Sequence, residues 1–326
     1  MQQPINASRR LFVPHRLFRR SGDRVFRTVI IAISSVVIAV GLALVLTLLV
    51  DGGAAITWFG PIQFFFSSAW NPVTEAFGSL AFFVGTLITS VAALALSVVP
   101  ALGVAIFTAE YAPKWLATWI DYVVDLLAAI PSVVIGIWGI FVLVPFMQNN
   151  LYLPVSAWVG THAPFLSPVL GNPSGYGLFT ATVVLALMIV PYTAALARDA
   201  IRLVPQEQRE AAWGLGATRW EVLRMAVLPF ARGGIIAGAV LSFGRAIGET
   251  MAVAMLIGNS NSLPFTLFGP AATMPSVIVN EFREAVNTLH LSSLMTIGVI
   301  LFILSLAVNL LAGYIQRKLA LGGRRS

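Results

Sequence analysis

Apolar positions gather into six long runs, at about residues 28–50, 80–108, 122–147, 177–197, 233–258 and 291–315, with polar and proline-rich stretches between them. Each run meets the ~20 residues that a helix needs to cross the hydrocarbon of a bilayer. The first exceeds the ~7–15-residue core of a signal peptide and no small-residue cleavage site follows it, so it is expected to stay as a helix. The pattern predicts an all-α integral membrane protein with six transmembrane helices in one domain, residues 28–315, between tails at 1–27 and 316–326.

Three connections, about 51–79, 148–176 and 259–290, are rich in Pro, Gly, Asn and aromatic residues, which suits folded loops and aromatic belts at a membrane interface. A short link at 109–115 is broken by Pro113. The longest polar connection, 198–232, reads as a helix–turn–helix. Pro205 opens a helix over 206–213, and Gly214 and Gly216 end it. Thr218 then caps a second helix with Glu221 three residues on, and Pro229 is expected to close that helix before the membrane. Trp220, Leu223 and Val227 fall on one face of it.

Composition agrees: 58% of residues are hydrophobic and 10% charged, against roughly 25% charged in soluble domains. The net charge of +7 would suit a nucleic-acid partner only if it were spread over one surface. Instead, 18 of the 20 Lys and Arg lie on one side of the six-helix arrangement, in the two tails, at Lys114 and in 198–232. Arg283 lies on the other side and Arg245 inside a helix. The positive-inside rule then makes both termini cytoplasmic; the charge reports topology and no nucleic-acid partner. The absence of cysteine excludes disulfides and thiol chemistry. His15, His162 and His290 are far apart, in tails or loops, and suit packing rather than a metal site. Lys114 follows Pro113 and Lys318 follows Arg317, so no Gly-Lys-Ser/Thr phosphate loop exists here. The chain is expected to be no enzyme and to bind no cofactor itself.

The stretch "EAAWGLGATRWEVLRMAVLP" resembles the cytoplasmic motif of ABC importer permeases, with Glu210, Ala211, Ala212, Gly216, Leu228 and Pro229 in the matching positions and Ala226 where a larger aliphatic residue is usual. In that family this loop docks into a groove of the ATPase, so the resemblance implies ATPase coupling by these six residues. "WNPVTEAFGSLAFFVGTLITS", "LGVAIFTAEYAPKWL", "LLAAIPSVVIGIWGIFVL" and "GRAIGETMAV" are together similar to the PstC-type permeases of bacterial phosphate importers. That resemblance implies an ABC type I importer permease fold in the inner membrane and a PstA-like second permease. It further implies an ATPase subunit dimer carrying ATP and Mg, and a periplasmic or lipid-anchored phosphate-binding protein. A permease for another oxyanion such as sulfate or molybdate, or a proton-coupled secondary transporter or channel, are the alternatives.

One apolar run carries Arg245 and Glu249. A lone charge at mid-membrane costs roughly 2.5–3.5 kcal/mol and usually faces a bundle interior or a wet cavity. On a continuous helix the two would pair, and Gly234, Gly238, Ser242, Arg245, Glu249 and Ala252 would share a stripe. Either the small residues admit another helix and the ion pair locks the bundle, or the stripe lines a path. In the second reading Arg245 offers its guanidinium to phosphate oxygens, with Ser242 beside it, and Glu249 partly neutralises Arg245 so that the anion can leave. The resemblance favours the path, since the matching Arg and Glu of PstC-type permeases matter for phosphate translocation. Asp121 and Asp125 are expected to meet a helix N-terminus, Pro131 to kink the third helix, and Glu110 and Tyr111 to end the second near the ATPase or the coupling loop.

Overall fold

The computed structural model describes residues 16–322. In chain order its principal helices are α1 (Arg16–Phe59), α2 (Leu80–Tyr111), α3 (Lys114–Ala129), α4 (Ser132–His162), α5 (Leu178–Arg202), α6 (Gln206–Gly214), α7 (Arg219–Ile247), α8 (Met251–Leu256), α9 (Met274–Glu281) and α10 (Thr288–Gly322). Six of them, α1, α2, α4, α5, α7 and α10, are long and apolar enough to cross a membrane. A short hairpin, β1 (Trp70–Asn71) and β2 (Ala76–Phe77), pairs Trp70 with Phe77. Of the expected tails, residues 1–15 and 323–326 lie outside the described residues, and from Arg16 the first tail is already helical and continuous with α1.

The chain to Val50 forms one unit and Asp51 onward a second. Within the second, α2 runs along α5. The meeting faces carry Ala93, Ala101 and Ala105 on α2 and Ala181, Ala194 and Ala197 on α5, all at most 2% exposed. Between lipid-embedded helices, close backbone approach and hydrogen bonds replace the hydrophobic drive, and small side chains allow that approach. The end of α1 is tied to α10, where Thr296 Oγ1 donates to Gly52 O and Ala55 N donates to Ser292 Oγ, each at 2.9 Å.

Four prolines shape the helices by one device. Wide turns at Phe107–Tyr111, Gly139–Leu143, Gln148–Tyr152 and Leu223–Val227 each end two residues before a proline: Pro113, Pro145, Pro154 and Pro229. In each, the N–H just before the proline reaches back five residues, as from Ala112 to Phe107 O and from Leu228 to Leu223 O. A proline has no N–H to donate and its ring crowds the carbonyl four residues back; one extra residue in the preceding turn relieves that crowding. Helix α7 therefore continues through Pro229, which does not close it as expected, and α4 continues through Pro145 and Pro154 to His162, into what reads as a loop.

Two runs are cut where unbroken helices were expected. The third breaks at Ile130 and Pro131, both extended, because a residue before proline is pushed out of the helical region. Residues 114–129 thus form the separate helix α3, and the membrane-length helix starts at Ser132. The fifth ends at Ile247 and restarts as α8 after Gly248–Thr250. His290, expected in a loop, lies in the first turn of α10, 4% exposed; its Nε2 is 2.9 Å from Glu281 Oε2 and its ring stacks on Phe77.

Candidate functional site

The hairpin of α6 and the start of α7 is built by local signals. Helix α6 begins after Pro205 and ends with Gly216 N–H on Trp213 O (2.9 Å) and Ala217 N–H on Ala212 O (3.3 Å), a closure that puts Gly216 at φ 80°. Thr218 N donates to Glu221 Oε2 at 2.7 Å while Glu221 N donates to Thr218 Oγ1 at 3.5 Å, the expected capping box.

The six motif residues divide between two faces. Glu210, Ala211, Gly216 and Pro229 are exposed, whereas Ala212 is buried and Leu228 half-buried. Ala212 sits in an apolar cluster with Ala105 of α2, Ile201 of α5 and Val222, Leu223 and Val227 of α7, which seats the hairpin on the bundle. Trp220 does not join the buried Leu223 and Val227 and is 60% exposed. With Trp213 and Leu215, which is 87% exposed, it forms an outward apolar tip.

Ion pairs that the sequence left unassigned hold this side together. Arg198 Nη1 lies 2.8 Å from Asp121 Oδ1, Arg202 Nη2 lies 2.9 Å from Asp121 Oδ2, and Asp125 is 4.0 Å from Arg198. The two aspartates lie well inside α3, whose first residue is Lys114, so they brace α3 against α5 rather than meeting a helix N-terminus. Arg209 Nη2 donates to Glu110 Oε1 at 2.8 Å, joining α6 to the end of α2. The only prior signal was polarity: acids placed just beyond or within apolar runs.

The membrane stripe on α7 resolves differently. A Cβ on Gly234 would lie 2.5 Å from Ala200 Cβ, and one on Gly238 would lie 2.8 Å from Leu196 Cβ, so both glycines admit α5. Ser242, fully buried, accepts from Thr193 Oγ1 at 2.7 Å and donates to Gly238 O at 2.9 Å. Up to Ser242 the stripe is a helix–helix contact, and the Ser242 hydroxyl ties α7 to α5 instead of lining an open face. Beyond it, Arg245 is exposed, with its guanidinium carbon 5.4 Å from the centre of the Tyr192 ring.

Arg245 and Glu249 do not pair. Among the described residues no carboxylate forms an ion pair with Arg245. Because α7 stops at Ile247, the four-residue spacing no longer places the two side chains on one helical face. Glu249 Oε1 instead accepts from Thr250 N (3.1 Å) and Ala252 N (3.4 Å), taking up amides that the restarting helix α8 would leave free. The result is a cation in the last turn of the membrane-length helix α7 whose ring partner shields one face of the guanidinium and leaves N–H donors on its edges.

Residues 101–321 match the family of binding-protein-dependent transport system inner membrane components. The chain is 44% identical over 268 residues, 82% of its own length and 83% of the other's, to the phosphate transport system permease protein PstC of Pasteurella multocida. It is 42% identical over 288 residues, 85% of its length and 88% of the other's, to the same-named protein of Mesorhizobium japonicum. Its fold is shared with a chain of a bacterial alginate ABC transporter solved with an alginate pentasaccharide-bound periplasmic protein, at TM-score 0.59 and 15% identity over 91% of this chain and 96% of that one. Six membrane-length helices and the family match make it a multi-pass inner-membrane protein. On these grounds the chain belongs to the PstC family of phosphate transport system permeases.

Proposed function

We propose that this chain passes inorganic phosphate through the membrane as one permease of an ATP-driven importer, and that Arg245 is its contact with the anion. The observation that carries the reading is an exposed guanidinium at the break between α7 and α8, with no carboxylate among the described residues to neutralise it. A guanidinium presents paired N–H donors that match two phosphate oxygens, which a lysine cannot do. Exposure keeps such binding weak enough to be left again. Glu249 acts through shape: it fixes where α8 restarts, and so where Arg245 ends its helix.

The second permease is a PstA-like chain, and the anion arrives from a periplasmic or lipid-anchored phosphate-binding protein. The hairpin with Glu210, Ala211 and Gly216 on its outer face meets an ATPase subunit dimer, which holds ATP and Mg. The excess of Lys and Arg on that side supports a cytoplasmic hairpin and cytoplasmic termini. This chain makes and breaks no covalent bond.

The test is uptake of labelled phosphate, sulfate and molybdate by cells that lack their own high-affinity phosphate permease, supplied with this chain and its partner subunits. Phosphate-selective uptake that disappears in Arg245→Gln, with the protein still in the membrane, is expected. Uptake of sulfate or molybdate instead overturns the substrate, and undiminished uptake in the variant returns Arg245 to a packing role.

A further inference from the structure

Beneath the hairpin, Arg209 holds three acceptors at once. Its Nη2 donates to Glu110 Oε1 at 2.8 Å and to Ile201 O at 3.0 Å, and its Nη1 donates to Val204 O. The Arg209 and Glu110 side chains are only 11% and 18% exposed. The guanidinium thus joins three elements: α6, the carbonyls of Ile201 and Val204 where the chain leaves α5, and the last turn of α2. Ala105, Ile106, Ala109 and Ala212 belong to the apolar cluster beneath the hairpin. Such contact is non-directional and lets one element slide over another, whereas a largely buried charged pair cannot separate without leaving charges uncompensated.

Glu110 also lies within the wide turn Phe107–Tyr111, where the regular hydrogen-bond ladder of α2 is interrupted before Pro113. A pull on Glu110 therefore acts where α2 resists deformation least. From these observations we propose that Arg209 and Glu110 form the strut through which movement of α6 reaches α2, and so the helix pair α2–α5 at the centre of the bundle. Both are positioning residues, touching neither nucleotide nor anion. The proposal rests on the reading of α6 as the ATPase contact, and it assigns to one side-chain pair the transmission that the hairpin motif by itself leaves unspecified.

Two readouts test it in the complete importer reconstituted in liposomes with its phosphate-binding protein. The first is phosphate taken up per ATP hydrolysed. Glu110→Gln is expected to keep the ATPase bound and hydrolysing within about twofold of wild type while uptake per ATP falls about tenfold, the scale of a typical coupling between sites. Arg209→Lys, which keeps the charge and loses the fork, falls between the two, and the exchange E110R with R209E recovers part of the loss. Wild-type uptake per ATP in both single variants overturns the strut, as does loss of ATPase association in both, which would make the pair a brace for the hairpin.

The second readout is independent of the cargo. The chain has no cysteine, so spin labels can be placed at Gln208→Cys on α6 and Val99→Cys on α2. ATP is expected to leave their separation unchanged in wild type and to broaden it in Glu110→Gln. A wild-type separation that shifts with ATP overturns the proposal. A wild-type complex that hydrolyses ATP without moving phosphate overturns the proposed function instead, and the labels still decide whether α6 and α2 move together.

Discussion

Arg209 and Arg245 show two uses of the same side chain in one molecule. Arg209 is largely buried beneath the hairpin, with a carboxylate and two carbonyls around it. Arg245 stands exposed at a helix break, with an aromatic ring for company and, among the described residues, no carboxylate paired with it. The difference lies in the surrounding acids. On the hairpin side Glu110, Asp121 and Asp125 are placed to meet Arg198, Arg202 and Arg209. At the end of α7 the acid four residues on, Glu249, turns to backbone amides. Under the proposals made above, the neutralised charge carries load and the unneutralised one holds the anion.

The largest expected effect tests the membrane half of this contrast. Arg245→Gln removes two charge-assisted hydrogen bonds to the anion, so phosphate uptake should fall about hundredfold, roughly 3 kcal/mol, at unchanged protein level in the membrane. Retention of uptake within a few fold would erase the difference between the two arginines. Next comes the braced half. Asp121→Asn leaves Arg198 without its nearest carboxylate at a site only partly screened by solvent, and should lower stability by about 2 kcal/mol, read as thermal unfolding in detergent. Arg245→Gln measured alongside should leave the unfolding temperature nearly unchanged, because its charge makes only an exposed contact with the Tyr192 ring, worth about 0.5–1 kcal/mol.

A smaller effect sharpens the role of the hairpin. Gly216 occupies φ 80° with open space where a Cβ would go. Gly216→Ala should therefore cost about 1–2 kcal/mol through backbone strain alone, seen as weaker retention of the ATPase subunit on purification. The smallest separates the two meanings of Glu249. As a cap, it should tolerate Gln, which still accepts from the α8 amides, whereas Glu249→Ala should cost about 1 kcal/mol of stability. If Glu249→Gln abolished uptake as thoroughly as Arg245→Gln, the carboxylate charge would be part of the anion path and the contrast would fail.

The six membrane helices, the hairpin with its caps and the exposed Gly216 turn were all legible in the chain, because each depends on local composition and on backbone preferences within a few residues. The proline-linked wide turns were half-legible. Proline marks the strain, but whether a helix stops, as at Pro113, or continues, as at Pro229, depends on what the following segment is packed against. The stripe on α7 misled for a related reason. A four-residue spacing implies a pair only while the helix lasts, and Gly248 lies where it ends. Ser242, read as a path residue, is drawn into contact with α5 by Thr193, a partner that periodicity cannot reveal.

The sequence by itself determined the solvent, the number of spans, the family and the position of the hairpin between α5 and α7. These follow from how long a run stays apolar and from motifs read along the chain. Only the tertiary structure decided which charges neutralise one another. A carboxylate pairs across helices according to distance and burial, and the partners here, such as Glu110 with Arg209 and Asp121 with Arg198, lie far apart along the chain. The strength of an ion pair falls with distance and rises as water is excluded, and both are properties of the folded bundle alone.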